Sequence, residues 1–349
     1  MSGKSVENEF DFILKAREEA RKIVEYYKAY LDDAMNVEIP FMELKGVKKI
    51  RKIAALDGGE RLKNLVASSV IIVRGGGGVF EKNEKIIKRV MHDIFITSRI
   101  QDLERFSNLI RDILEFKIAL ILLEDDPEVL VMDGSLVGYV THGLPNEVAG
   151  HLTKPSSEKP IQEYVEKYVE YLTLYNKLLK TCKEKKVLLL GVSKDSRAQY
   201  LVDEFHLNRV LTDYALLKLK MKKPCVTEPI VAGYKLQNET IQDFALKNDY
   251  LAEDLASFYI CYFKLKHNSI PIRVDFPVWN HGRFQEIMQF METYHDEKGF
   301  LMTAHLVHNW AVMKETIVNS AVNAIREEVL KLDPYIYDAI FVPQRREEI

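Results

Sequence analysis

Residues 129–139 read VLVMDGSLVGY. A short, nearly unbroken apolar run that is partly β-branched suits a strand buried on both faces, and this one ends by delivering Asp133, Gly134 and Ser135. Asp-Gly is among the commonest turn dipeptides, so Asp133 has a plain structural explanation as a turn residue. The alternative is that a buried strand presents a carboxylate to a ligand. A second apolar segment of strand character, IAALDGG at 53–59, stops in the same way at Asp57-Gly58-Gly59. What the two ends do together depends on where the order of elements puts them.

Upstream, Phe10 to Leu31 carries apolar residues at helical spacing among Lys, Arg and Glu, which predicts a long amphipathic helix. A linker with Pro40 and the basic run LKGVKKIRK lead into IAALDGG. LVASSVIIVRGGGGVF and VMHDIFIT then read as two more strands, with Gly75 to Gly78 as a flexible turn between them. Arg99 to Asp125 is helical by period, VLVMDGSLVGYV is the next strand, IQEYVEKYVEYLTLYNKLLKTCKEK is an amphipathic helix, and VLLLGVSKDSRA is a buried strand leading into a loop. Three strands, helix, strand, helix, strand is the order of the ribonuclease H-like α/β fold, where the first strand is central and the fourth is its parallel neighbour. In that order Asp57 and Asp133 lie at one end of the sheet, within reach of a shared divalent ion. Beyond Arg197 the pattern reads as an insertion near 205–245, return strands within VTEPIVAGYKL, FYICYFKL and IPIRVDFPVW, a helix HGRFQEIMQFMETYHD, and one long helix FLMTAHLVHNWAVMKETIVNSAVNAIREEVLKL before the tail YIYDAIFV.

The chain has 349 residues, 47% apolar and 29% charged, which is ordinary globular composition. A net charge of −3 excludes a general polycation, so any nucleic-acid surface is a local basic cluster. Cys182, Cys225 and Cys261 are isolated, which argues against a zinc ribbon or disulfide framework and suits a reducing, cytoplasmic setting. The N-terminus MSGKSVENEFDF has no apolar signal core, and FKIALILLEDD is too short to span a bilayer, so no membrane association is expected.

Paired carboxylates at strand ends suit phosphodiester hydrolysis, because a hard cation held there lowers the pKa of water and neutralises charge in the transition state. The helix after the third strand can add another acid. Its candidates are Glu104, Asp112 and Glu115, and Glu115 lies where the helix becomes apolar all round, although a solvated helix face is the simpler reading.

The ordered set IAALDGG, a Glu on the following helix, VMDGSL, LLGVSKDSRA, IRVDFPVW and the Ala-His pair in LMTAHLVHN resembles the NurA nuclease family, from about Lys49 to about Trp310. The resemblance implies a ribonuclease H-like nuclease domain over 45–325, a helical extension over 1–44 and a tail over 326–349 suited to dimer or partner contact. It also implies a homodimer that encloses a channel and digests DNA with manganese, magnesium being the alternative. The expected actions are 5′ to 3′ exonuclease on single- and double-stranded DNA and single-strand endonuclease, with the hexameric translocase HerA as partner in end resection. By resemblance Asp57, Glu115 and Asp133 are the metal-binding acids. Lys194 holds a phosphate as a point charge, and His305 ligates metal or stabilises the transition state, with a core histidine as the alternative. Tyr294 is the weak candidate for a family tyrosine, and Asp195 is either a fourth acid or half of a solvated loop pair.

Lys45, Lys48, Lys49, Arg51 and Lys52 precede the first Asp and are candidate phosphate contacts, as are Lys218, Lys220, Lys222 and Lys223; a solvated lysine-rich loop is the alternative for both. Tyrosines 164, 168, 171 and 175 form a helical stripe expected in the core or a dimer interface. Gly75 to Gly78 lacks the Gly-Lys-Ser/Thr ending of a phosphate loop, so no nucleotide cofactor is expected. Two rival functions remain from the residues: a DNA clamp or adaptor without chemistry, and a ribonuclease or junction resolvase on the same fold.

Overall fold

The computed structural model describes residues 3–44, 46, 49–81, 86–98, 100, 102–194, 196–233 and 239–341. Within these residues ten strands form one mixed sheet: β1 (Phe41–Met42), β2 (Lys52–Asn64), β3 (Ser68–Glu81), β4 (Ile86–Ser98), β5 (Val129–Asp133), β6 (Leu188–Ser193), β7 (Cys225–Thr227), β8 (Ile230–Gly233), β9 (Phe258–Lys264) and β10 (Ile272–Pro277). The order is β1-β7-β9-β10-β6-β5-β2-β3-β4, with β8 paired to β9. β5 runs parallel to β2, with Leu56 opposite Met132, and β6 runs parallel to β5. The meander β2-β3-β4 is antiparallel, and β10 and β9 extend the sheet past β6 in antiparallel sense.

Side chains alternate across a strand, and here each face finds its own core. Ala54, Leu56, Leu130 and Met132 pack with α2 (Leu103–Leu122) and α5 (Lys159–Glu184), whereas Ile53, Ala55, Val129 and Val131 pack with α10 (Phe284–Thr293) and α11 (Met302–Ala311). The long α1 (Gly3–Asn36) leads in, short helices α3 (Leu136–Thr141) and α4 (Asn146–Ala149) follow β5, and α6 (Tyr200–Glu204), α7 (Asp213–Lys220), α8 (Glu239–Lys247) and α9 (Glu253–Ala256) lie between β6 and β9. A third core joins Leu65, Val70 and Ile72 of the meander to Met313, to Val318 and Val322 of α12 (Glu315–Leu332), and to Phe341 beyond α13 (Pro334–Ile336). No helix among the described residues is long and apolar enough to cross a membrane.

Four sequence expectations are corrected. β2 does not stop at Asp57-Gly58-Gly59 but continues to Asn64, so Asp57 lies inside an extended strand. Gly75 to Gly78 are not a turn; they sit within β3, paired on both sides. Their missing side chains are the reason: a Cβ on Gly75 or Gly77 would meet Ile118 of α2 at 2.2 and 2.6 Å, and one on Gly76 or Gly78 would meet Trp310 of α11 at 2.6 and 2.8 Å. The segment after Asp133 is helix rather than strand, because Ser135 caps α3 by accepting from the Gly138 N–H. The expected long C-terminal helix is two helices, broken at 312–314 where Met313 enters the third core.

The tyrosine stripe is core, and its hydroxyls are used. Tyr175, Tyr171 and Tyr168 of α5 donate to the carbonyls of Leu136, Tyr139 and His142, at the start, middle and end of α3. From the other side, fully buried Asp275 of β10 accepts from the Ser135 hydroxyl at 2.7 Å and the Val137 N–H at 3.2 Å. Its counter-charge is Arg273, at 2.6 Å, which also donates to the Ser135 hydroxyl. Asp275→Ala leaves that guanidinium buried without a carboxylate, so the unfolding free energy should fall by about 3–5 kcal/mol. Equilibrium urea unfolding measures this, and an unchanged midpoint would mean that the pair does not hold the turn after β5.

Candidate metal centre

The register of β2 and β5 builds the site. With Leu56 opposite Met132, the next residues on the two parallel strands are Asp57 and Asp133, level and on the α11 side of the sheet. Gly134 then turns the chain at φ +151°, a conformation that favours glycine, with its N–H donated to the Val192 carbonyl of β6. Asp133-Gly134 is therefore both a turn and a carboxylate presented at a strand end. α11 crosses above and brings His308, whose Nδ1 lies 2.7 Å from Asp57 Oδ2. One ligand atom from each of Asp57, Asp133 and His308 falls within 4.8 Å of the others.

Burial and the neighbouring Asp133 carboxylate push Asp57 above the usual carboxylate range, and His308 and the Gly58 N–H pull it part of the way back. Lys194, at the end of β6, donates to Asp133 Oδ2 at 2.8 Å. Two carboxylates and an imidazole converging in a partly buried recess form a donor set that a divalent cation fits, and such an ion would relieve their repulsion.

Glu115, expected as the third metal-binding acid, approaches from the opposite face of the sheet and is not in this three-residue cluster. It sits on α2, almost fully buried, and takes the space in which a Gly58 side chain would stand: a Cβ there would lie 2.3 Å from its Oε1 and 2.8 Å from its Cγ. The Tyr139 hydroxyl donates to its Oε2, and Arg111 Nε is 3.5 Å from its Oε1. Burial pushes its pKa up to about 8, against the pull of Arg111. Arg111 also pairs with Glu60 at 3.0 Å and Asp112 at 2.8 Å.

The other expected residues are dispersed. Glu104 is exposed, and Asp112 is buried against Arg111 and His142. His305 is exposed one turn before His308 and is not in the cluster. The Tyr294 hydroxyl bonds both the N–H and the carbonyl of Ile50. Lys49 and Arg51 are exposed, and Lys52 donates to the Asp125 carbonyl at the far end of β2, about 17 Å along an extended strand from Asp57. Lys220 donates to the Met35 carbonyl, and Lys222 is exposed. Lys45, Lys48 and Asp195 lie outside the described residues. Sequence reasoning missed His308, Tyr139 and Arg111; the only signal for His308 was the pair of histidines three apart in HLVH.

Because Glu115 is clamped by Tyr139 and Arg111, it cannot swing aside for a new side chain. Gly58→Ala should therefore weaken Mn2+ binding by about tenfold or more with the fold retained, as read by titration calorimetry beside circular dichroism. Unchanged affinity would show that the Gly58–Glu115 contact does not shape the metal centre.

The NurA domain model matches residues 51–310. The crystal structure of the NurA nuclease from Sulfolobus solfataricus is similar at a TM-score of 0.67 and 16% identity, covering 93% of this chain and 98% of that one. A crystal structure of NurA with manganese gives 0.62 at 11% identity over 90% and 98% of the two chains. One of NurA bound to dAMP and manganese gives 0.57 at 12% over 90% and 95%. At these identities the likeness is one of fold. No curated protein matches the sequence. The domain match spans well over half of the sequence, and the chain belongs to the NurA family.

Proposed function

We propose that this protein is a metal-dependent DNA nuclease. The observation that carries the reading is the convergence of Asp57, Asp133 and His308, with ligand atoms within 4.8 Å of one another, in a chain with the NurA domain. A divalent cation at this place lowers the pKa of water and neutralises charge on a scissile phosphate. Asp57, Asp133 and Glu115 offer hard oxygen donors and His308 a nitrogen, a mixed set that favours Mn2+ over Mg2+. The proposed role of Lys194 is to take a phosphate oxygen as a point charge, and its pairing with Asp133 supports that reading. His305 is retained as a solvent-facing candidate one turn away.

DNA ends as substrate, 5′ to 3′ polarity, single-strand endonuclease action, and HerA as partner in end resection are proposed from family membership. A homodimer is proposed on the same ground. It is supported by exposed Phe12, Ile23 and Val24 on α1 and by exposed Ile86, Val90 and Ile94 on the edge strand β4.

Cleavage of end-labelled single-stranded DNA should require Mn2+ and be abolished by Asp133→Asn, while gel-shift affinity for the strand stays unchanged. Equal cleavage in chelator, or by the variant, would reduce the protein to a DNA clamp, and faster digestion of a matched RNA would shift the reading to a ribonuclease. The metal itself makes a second test. Burial raises Glu115 to about 8, so an ion that it ligates must displace its proton, and affinity should climb as the pH rises toward about 8 and that proton leaves on its own. Calorimetry in buffers of different ionisation enthalpy at pH 7 should show net proton release; none would separate Glu115 from the ion.

A further inference from the structure

We propose that Gly76 and Trp310 form a seat that fixes the height of His308 over Asp57, and so act as positioning residues for the metal centre. The proposal rests on Asp57, Asp133 and His308 being that centre. Gly76 is the direct cross-strand partner of Asp57. A Cβ on Gly76 would lie 2.6 Å from Trp310 Cβ, 2.9 Å from the Trp310 carbonyl carbon and 3.0 Å from the Ala311 nitrogen. Two of these are backbone atoms, so no rotamer change relieves the clash and the end of α11 must lift as a body. Gly59, next but one to Asp57, sits under the same helix end, where a Cβ would be 3.1 Å from the Ala311 carbonyl oxygen.

The indole keys the helix along β3. Gly78 leaves room for it, a Cβ there falling 2.8 Å from Trp310 Cζ3, and Phe80 stacks against it at 6.0 Å and 13°. Lys88 of β4, opposite Gly78, places its Nζ 4.9 Å from the ring centroid. Residues 76, 78 and 80 share one face of the strand, so the ring lies lengthwise in a bare channel that sets both height and rotation of α11. The His308 imidazole is half exposed and bonds Asp57. With so little packing around the ring, the height of the helix decides its reach. Raising a contact from 2.6 Å to an ordinary van der Waals distance needs about 1 Å, a displacement large enough to take the imidazole out of ligating distance.

The test is a double-mutant cycle on the full chain, reading Mn2+ affinity by titration calorimetry in wild type, Gly76→Ala, His308→Ala and the double variant. Gly76→Ala should weaken binding about tenfold, and the double variant should bind no more weakly than His308→Ala alone. Additive losses would show that Gly76 acts other than through His308 and overturn the seat. Should Gly76→Ala not fold, Trp310→Ala takes its place in the same cycle, with Trp310→Phe expected to restore affinity by keeping the stack on Phe80; failure of that rescue together with additivity has the same force. Absence of Mn2+ binding in the wild type would instead sink the metal reading itself, a result distinct from additivity.

Discussion

Two like charges held level on neighbouring parallel strands are the constraint on which the remaining arrangement depends. Adjacent strands are separated by about 4.8 Å, so the register that pairs Leu56 with Met132 forces the Asp57 and Asp133 carboxylates together. Desolvation and that proximity both work against ionisation. The surroundings answer the cost with His308 above, the Gly58 N–H beside, and Lys194 at the rim. Such a recess is unfavourable for the fold alone and favourable for a cation.

Glycine is the means by which the two faces of the sheet cooperate. Ala54 and Leu56 of β2, Leu130 and Met132 of β5 and Leu189 of β6 present side chains to the helices packed on them. At Gly58, and from Gly75 to Gly78, the sheet is reduced to backbone, so α2 closes from one side with Glu115 and α11 from the other with His308. A strand interior that is poor by propensity is tolerated because helices on both faces fill the space that its side chains would have used.

Much of the architecture was legible in the sequence. Apolar runs ending in Asp-Gly marked both strands, the order of elements placed them side by side, and the stripe of Tyr164, Tyr168, Tyr171 and Tyr175 marked a packed helix. What escaped depended on contacts far apart in sequence. A four-glycine run signals a turn locally, and only the helices pressed onto it make it a strand. HLVH puts His305 and His308 one turn apart, and which of them stands over Asp57 is set by where Trp310 lodges on β3, some 230 residues earlier. Likewise, the break at 312–314 follows from a core that claims Met313, since no proline or glycine marks it.

The hydroxyls of Tyr168, Tyr171 and Tyr175 measure α3 as a ruler does, engaging carbonyls at its beginning, middle and end. α3 begins just beyond the Asp133 turn, so the ruler also gauges where β5 must stop. Inserting one residue within this part of α5 would rotate the following side chains by about 100° and throw its marks out of step. The connection from α3 to α5 is held differently, by α4, whose Val148 and Ala149 are buried in the same core. A residue inserted in the largely exposed turn at 153–158, just before α5, would leave the three hydroxyls in step with α3 and the carboxylate unmoved.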